Sequence, residues 1–270
     1  MTASQKLIEK FNNGFHICTG LDTDLKKIPQ HLLNSPDPVF EFNKIIIDNT
    51  YKGTAAYKLN LAFFESRGTS GIESMMKTIE YIPNDILKIG DAKRGDIGNT
   101  SQMYAQSIFD EFKFDSITVN PYMGFDSLEP FLKYTDKVSF ILALTSNAGA
   151  VDFEKLQLTD GDFVYQKVIT KANEWNKKNN CGIVFGATKL EELKSNISSF
   201  GNLFILLPGV GAQGGSLTDV VATFKQNQYS NYLINISRAL IYADNTEDFG
   251  KAANRVLDDY NNQVIKQMNL

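Results

Sequence analysis

With only two cysteines and two histidines in 270 residues, the chain has little with which to bind a soft metal. Cys18 and Cys181 lie far apart in apolar runs, and with His16 and His31 they form no cluster of zinc-ligand spacing. They read instead as buried thiols of a reducing cytoplasm, not as a disulfide. No run approaches the roughly 18 apolar residues of a membrane span, and the start lacks a signal-peptide profile. Neither membrane insertion nor secretion is therefore expected. A net charge of −4 offers no basic face to a nucleic acid. No low-complexity tract, short repeat or Pro/Gly/Ser linker divides the chain. With 43% hydrophobic and 21% charged residues it suits one globular domain, or two small ones.

What is present is alternation. Short apolar, strand-like segments occur at 15–21, 54–61, 86–90, 116–119, 138–144, 181–185, 203–207 and 232–236. Helical patterns fall between most of them, at 39–51, 71–81, 127–134, 189–198 and 217–226. Alternating strand and helix implies parallel strands joined by right-handed crossovers. Eight such units in about 250 residues fit an α/β TIM (β/α)8 barrel, read here as a single domain over residues 1–270. An open doubly wound sheet is the runner-up, because periodicity alone cannot close a barrel. Residues 4–11 form a short amphipathic helix ahead of the barrel, and 248–268 a last helix on its outer ring. One connection, 147–180, is long; it holds a turn at Thr159-Asp160-Gly161-Asp162 and a helix over 164–178.

The third segment leads into Asp91-Ala92-Lys93-Arg94-Gly95-Asp96-Ile97-Gly98-Asn99-Thr100. In an extended chain Asp91 and Lys93 share a face, while Asp96 falls beyond the strand end. Asn99 and Gln102 have capping-box spacing for the following helix. Buried charges are seldom unpaired, so Asp91 and Lys93 should neutralise each other in one pocket. For a lone D-x-K, a structural ion pair at a barrel rim is the better reading. Lys58, within an apolar strand, needs an anionic partner, and Asp91 on the neighbouring strand is the obvious one.

The remaining strand ends are polar too. Asp22 follows the first strand, where a cap or turn is an equal alternative. Asn120-Pro121-Tyr122 follows the fourth and Thr145-Ser146-Asn147 the fifth. Pro208 leads into Gly209-Val210-Gly211-Ala212-Gln213-Gly214-Gly215, and Ser237-Arg238 ends the eighth strand. A glycine-rich turn beside an arginine at the next strand end favours phosphate. His16, Trp175 and the aromatics around Phe163-Val164-Tyr165 read as core packing.

The string D-A-K-R-G-D-I-G-N-T closely resembles the signature of orotidine 5′-phosphate decarboxylase, in the branch whose motif runs D-x-K-R-G-D-I-G-x-T. Thr19-Gly20-Leu21-Asp22, Lys58, Val119-Asn120-Pro121-Tyr122, Thr145-Ser146, Pro208 to Gly215 and Ser237-Arg238 stand in family order around it. The resemblance implies conversion of orotidine 5′-monophosphate to UMP and CO2, in de novo pyrimidine biosynthesis, with no cofactor and no metal. It implies that Lys58, Asp91, Lys93 and Asp96 form an alternating charged array, with Lys93 delivering the proton to C6. Asp96, Ile97 and Thr100 would be lent to a neighbouring subunit's site, hence a cytoplasmic homodimer. Asp22 would bind ribose hydroxyls, Ser146 the pyrimidine, and Gln213 and Arg238 the phosphate, with Pro208 lining the base pocket.

Three other readings use the same residues. A sibling barrel decarboxylase of sugar-acid phosphates would apply a D-x-K-x-x-D array to magnesium. A Schiff-base aldolase would use Lys58 or Lys93. A phosphate-binding barrel without catalysis would have little use for four clustered charges.

Overall fold

The computed structural model of the chain describes residues 1–210 and 215–269. Eight parallel strands close on themselves: β1 (Ile17–Gly20), β2 (Ala56–Asn60), β3 (Leu87–Arg94), β4 (Ser116–Val119), β5 (Val138–Leu144), β6 (Cys181–Phe185), β7 (Phe204–Pro208) and β8 (Tyr232–Ile236). β1 pairs with both β2 and β8, which settles the choice between barrel and open sheet. Four of the strands match the sequence reading end to end, because each is a short bounded run, mostly apolar and almost wholly buried.

In chain order the helices are α1 (Ala3–Asn12), α2 (Pro38–Thr50), α3 (Leu61–Glu65), α4 (Thr69–Tyr81), α5 (Gly98–Gln106), α6 (Phe125–Leu132), α7 (Val164–Trp175), α8 (Leu190–Asn196), α9 (Leu217–Gln226), α10 (Arg238–Ile241) and α11 (Phe249–Asn269). None among the described residues is long and apolar enough to cross a membrane. Two apolar clusters result. One, between strands and helices, gathers side chains such as Phe42, Phe64, Phe131, Phe185 and Leu257. The other fills the barrel with Cys18, Ala56, Leu87, Ile89, Phe140, Val184, Phe204, Leu206 and Leu233.

That inner cluster includes Ala3, Leu7 and Phe11 of α1. The helix starts with a capping box between Thr2 and Gln5 and lays one face across the amino-terminal mouth of the barrel. Lys6 pairs with Asp115, just before β4, at 2.8 Å, and Ala3 N–H donates to the Asp136 carbonyl. The bottom is thereby sealed, and polar residues collect at the carboxyl ends of the strands.

Three local readings change. β3 runs four residues past Gly90, because its pairing with β4 shifts register between Gly90 and Arg94 and resumes at Arg94–Val119. The polar residues 91–94 are held by backbone pairing, a tertiary contact that hydrophobic pattern does not report. Asn99 does not cap α5: the N-cap is Ile97, without a side-chain bond, and Ser101 N–H reaches back to the Ile97 carbonyl. His16 is a core residue, stacked between Phe11 and Tyr232 at 5.0 and 4.1 Å, but only half satisfied. Its Nδ1 meets the Tyr232 carbonyl at 3.0 Å, while Nε2 is buried with no partner among the described residues.

The long connection from β5 to β6 is ordered by short-range contacts. A 3-10 turn covers Ala148–Val151, and Gln157 bridges Phe163 across a turn whose Gly161 has φ +94°. Asn176 ends α7 after Trp175, three residues short of the expected 178.

Candidate active site

The site begins with register. Asp91 sits opposite Asn60, two residue pairs beyond Lys58–Ile89 and so on the same face, and Lys58 and Asp91 emerge side by side at the top of the barrel. Lys58 Nζ lies 3.1 Å from Asp91 Oδ2 and 3.4 Å from Asp22 Oδ1. Asp91 Oδ1 in turn receives Lys93 Nζ at 2.6 Å. The result is a row of alternating sign: Asp22, Lys58, Asp91, Lys93.

Burial works against the charge on Lys58, yet the two carboxylates outweigh it and hold the ammonium above its usual range. Burial likewise opposes ionisation of Asp91, and Lys58 and Lys93 overcome it, holding the carboxyl well below its usual range. Both remain ionised because they neutralise each other, as a buried pair must. Beneath them the Cys18 thiol is pushed up to about 12, mainly by burial, so it stays protonated.

Lys93 reaches this row through an unusual backbone. Its φ is +50°, in the left-handed region that costs a non-glycine residue of order 1 kcal/mol or more. Thr118 of β4 stabilises it: the threonine oxygen accepts the Lys93 N–H at 3.0 Å, and its hydroxyl donates to Asp91 Oδ1 at 2.9 Å. One hydroxyl therefore fixes both the acid and the lysine. Arg94 turns the other way, pairing with Glu65 and lying over the Tyr104 ring at 5.3 Å.

Two adjoining cavities share Lys58, Asp91, Pro208 and Asn235. The first, about 230 Å³, adds Lys93, Thr118, Thr145, Ser146 and Asn147, with Leu142, Val184 and Leu206 as apolar walls. The second, about 180 Å³, adds Asp22, Asn60, Gly209, Val210, Ser237 and Arg238. Gly209 has φ +103°, and a Cβ on Gly215 would lie 2.9 Å from the Gly209 carbonyl oxygen, so both positions favour glycine. A flat apolar-walled group and an anion could be held at opposite ends, with the charged row between them.

Of the residues singled out from sequence, Asp22, Lys58, Asp91, Lys93, Ser146, Pro208 and Arg238 line these cavities. Asp96, Ile97 and Thr100 do not. Asp96 Oδ1 accepts the Ile97 N–H at 2.8 Å, and Ile97 and Thr100 face outward. Gln213 lies outside the described residues. Thr118 and Asn235 went unrecognised. Their signal was a polar residue inside an apolar, fully buried strand: Ser116-Ile117-Thr118-Val119 alternates, and Asn235 interrupts Tyr232–Ile236. A larger, mostly apolar cavity of about 600 Å³ lies beside the site, between Tyr122, Leu142, Phe153, Glu154 and Val168. It contains none of the lysines.

A closed (β/α)8 barrel with a lysine–carboxylate row at its strand ends, beside a glycine turn and an arginine, defines a class of barrel enzymes for small anionic substrates. The chain belongs to the Orotidine 5'-phosphate decarboxylase / HUMPS family, whose model matches residues 16–253. It is 50% identical over 240 residues to the orotidine 5'-phosphate decarboxylase of Porphyromonas gingivalis, covering 88% of this chain and 87% of the relative. Its identity to the Christiangramia forsetii protein of the same name is 47%, covering 98% of each chain. The structure of Leishmania donovani OMP decarboxylase superposes with a TM-score of 0.83 at 34% identity, covering 98% of this chain and 100% of that one.

Proposed function

We propose that this barrel decarboxylates orotidine 5′-monophosphate to UMP and CO2 without a cofactor, Lys93 delivering the proton to C6. The observation that carries the reading is the row Asp22–Lys58–Asp91–Lys93 at the junction of the two cavities. Loss of CO2 from C6 leaves an electron pair in the plane of the ring, where the ring cannot delocalise it. A fixed ammonium beside C6 stabilises that developing charge and then protonates it. Support for Lys93 in this role is that it lines the base-sized cavity, half exposed, whereas Lys58 is buried and held by two carboxylates.

Asp91 orients Lys93 and Lys58 and presents negative charge toward the departing carboxylate. The base would lie against Leu142, Val184 and Leu206 with Ser146 at its edge, and Pro208 lining the pocket. Ribose would meet Asp22, and phosphate would meet Arg238 and Gln213. Binding energy from the phosphate end, remote from C6, would hold the ring against the charged row.

The proposal extends to the assembly: residues 1–270 act as one barrel domain, in a cytoplasmic homodimer whose neighbouring subunit supplies Asp96, Ile97 and Thr100. In favour is the exposure of Ile97 and Thr100, in the loop after β3 and the first turn of α5, with Asp96 beside them outside both cavities. The magnesium-using sibling reading is disfavoured by the state of Asp91. Lys58 and Lys93 already occupy its two oxygens, where a cation would have to sit.

The test is the loss of orotidylate absorbance with purified protein in excess EDTA. Conversion is expected to proceed unimpaired. A strict requirement for added magnesium would overturn the cofactor-free mechanism in favour of the sibling.

A further inference from the structure

The connection between β5 and β6 contributes a carboxylate that the mechanism above does not use. Glu154 reaches back to the residue that follows β5. Its Oε2 accepts the Thr145 N–H at 2.7 Å, and the Thr145 hydroxyl lies 2.8 and 3.0 Å from Oε1 and Oε2. Thr145, Ser146 and Asn147 are consecutive lining residues of the cavity of about 230 Å³ that holds Lys93.

We infer that Glu154 is a positioning residue for the base end of the site, acting through Thr145 on Ser146 and Asn147. The inference rests on the proposed function, in which that cavity takes the pyrimidine ring. Among the described residues the loop it steadies has few other supports. β5 and β6 lose register between Leu142 and Leu144, so regular strand pairing ends just before Thr145. On one side the loop passes Gly186, where a Cβ would lie 3.0 Å from the Ser146 backbone. On the other side stands Glu154.

Glu154 is itself braced. Its carbonyl accepts the Tyr165 N–H at 2.9 Å, and Lys155 N–H donates to the Ala150 carbonyl at 3.0 Å. The Lys155 side chain is paired with Glu192 of α8. The carboxylate thus links a strap anchored on α7 and α8 to the loop at the base cavity.

The chemistry suits a carboxylate. A carboxylate accepts from both the backbone N–H and the hydroxyl, with bonds stronger than neutral ones. Thr145 has a single hydroxyl proton, and Asn147 Oδ1, 2.6 Å from the hydroxyl, is a further acceptor within its reach. The Glu154 carboxylate and the Asn147 amide oxygen thus meet at one hydroxyl, which ties the placement of Asn147 to Glu154. Removing the carboxylate leaves the Thr145 N–H without its partner and lets the loop carrying Ser146 drift.

The test compares UMP with ribose 5-phosphate, which lacks the base, by calorimetric titration of wild type, Glu154→Ala, Glu154→Asp and Glu154→Gln. Glu154→Asp keeps the charge but shortens the reach, and it carries the test if the alanine variant fails to fold. Both should bind UMP about ten- to a hundredfold more weakly, with unchanged affinity for ribose 5-phosphate. Glu154→Gln, which can accept the N–H and donate to the hydroxyl, should recover most of the loss. A brace with no role at the base would weaken both ligands equally or neither, and either result overturns the inference. Wild type that binds ribose 5-phosphate but gains nothing from the base in UMP would overturn the underlying functional reading instead.

Discussion

Lys93 combines three properties that rarely coincide: a left-handed backbone, half exposure, and a 2.6 Å contact to a carboxylate. Lys93→Ala should fold, since that side chain is not part of the core, and should lose decarboxylation while still binding UMP; a single-turnover assay and a titration separate the two. Arg238 is exposed before ligand binds, so its phosphate contact stays partly hydrated. Arg238→Ala should therefore weaken UMP by about 1.5–3 kcal/mol, the range of a hydrogen bond to a charged group. Equal affinity of mutant and wild type for UMP would remove Arg238 from the phosphate site. His16 gives a pH dependence of stability. Burial lowers its pKa to about 4, against about 6.5 in an unfolded chain. The unfolded state then binds the extra proton between those values, so His16's contribution is complete above about pH 6.5 and is lost as pH falls toward 4. About 3 kcal/mol of stability should disappear across that window, and His16→Phe, which keeps an aromatic ring in the stack, should flatten that part of the urea-midpoint profile.

At the scale of elements, α1 and the β5–β6 connection act on opposite ends of the barrel. Leu7 is fully buried in the inner cluster, at the amino-terminal mouth and away from the charged row. Leu7→Ala should cost about 2–5 kcal/mol in urea unfolding, as large-to-small core changes do, with kcat unaltered. A fall in kcat at full folding would mean that the plug reaches the site. The elements themselves were largely legible: β4, β5, β6, β8 and α9 have the bounds their apolar pattern suggests. The extension of β3 to Arg94 was not legible, because it is held through backbone groups while Asp91, Lys93 and Arg94 carry charged side chains. For the same reason Asn99 has capping spacing without capping: the helix starts where the bulged strand delivers the chain.

For the whole molecule, the position of Asp96, Ile97 and Thr100 outside the two cavities makes assembly a question about activity. If a neighbouring subunit receives these residues, Lys93→Ala and Asp96→Ala lesions fall on different sites of a hybrid dimer. One hybrid site then carries both lesions and the other neither. Mixing the two nearly inactive proteins under subunit exchange should restore up to roughly a quarter of wild-type activity, since half the dimers are hybrids and each has one intact site. Exchange confirmed by mass, with activity still at the parental level, would place Asp96 within its own subunit.

The sequence by itself determined the alternation of strand and helix, the order of the polar strand ends, and the shared face of Asp91 and Lys93. These are properties of neighbouring residues, and backbone periodicity carries them. Tertiary structure alone decided that β1 meets β8, that Lys58 stands 3.1 Å from Asp91, and that Thr118 ties Asp91 to Lys93. It also joined Glu154 to Thr145 across the cavity wall. Such contacts depend on strand register and barrel closure, which bring distant segments together and leave no trace in local spacing.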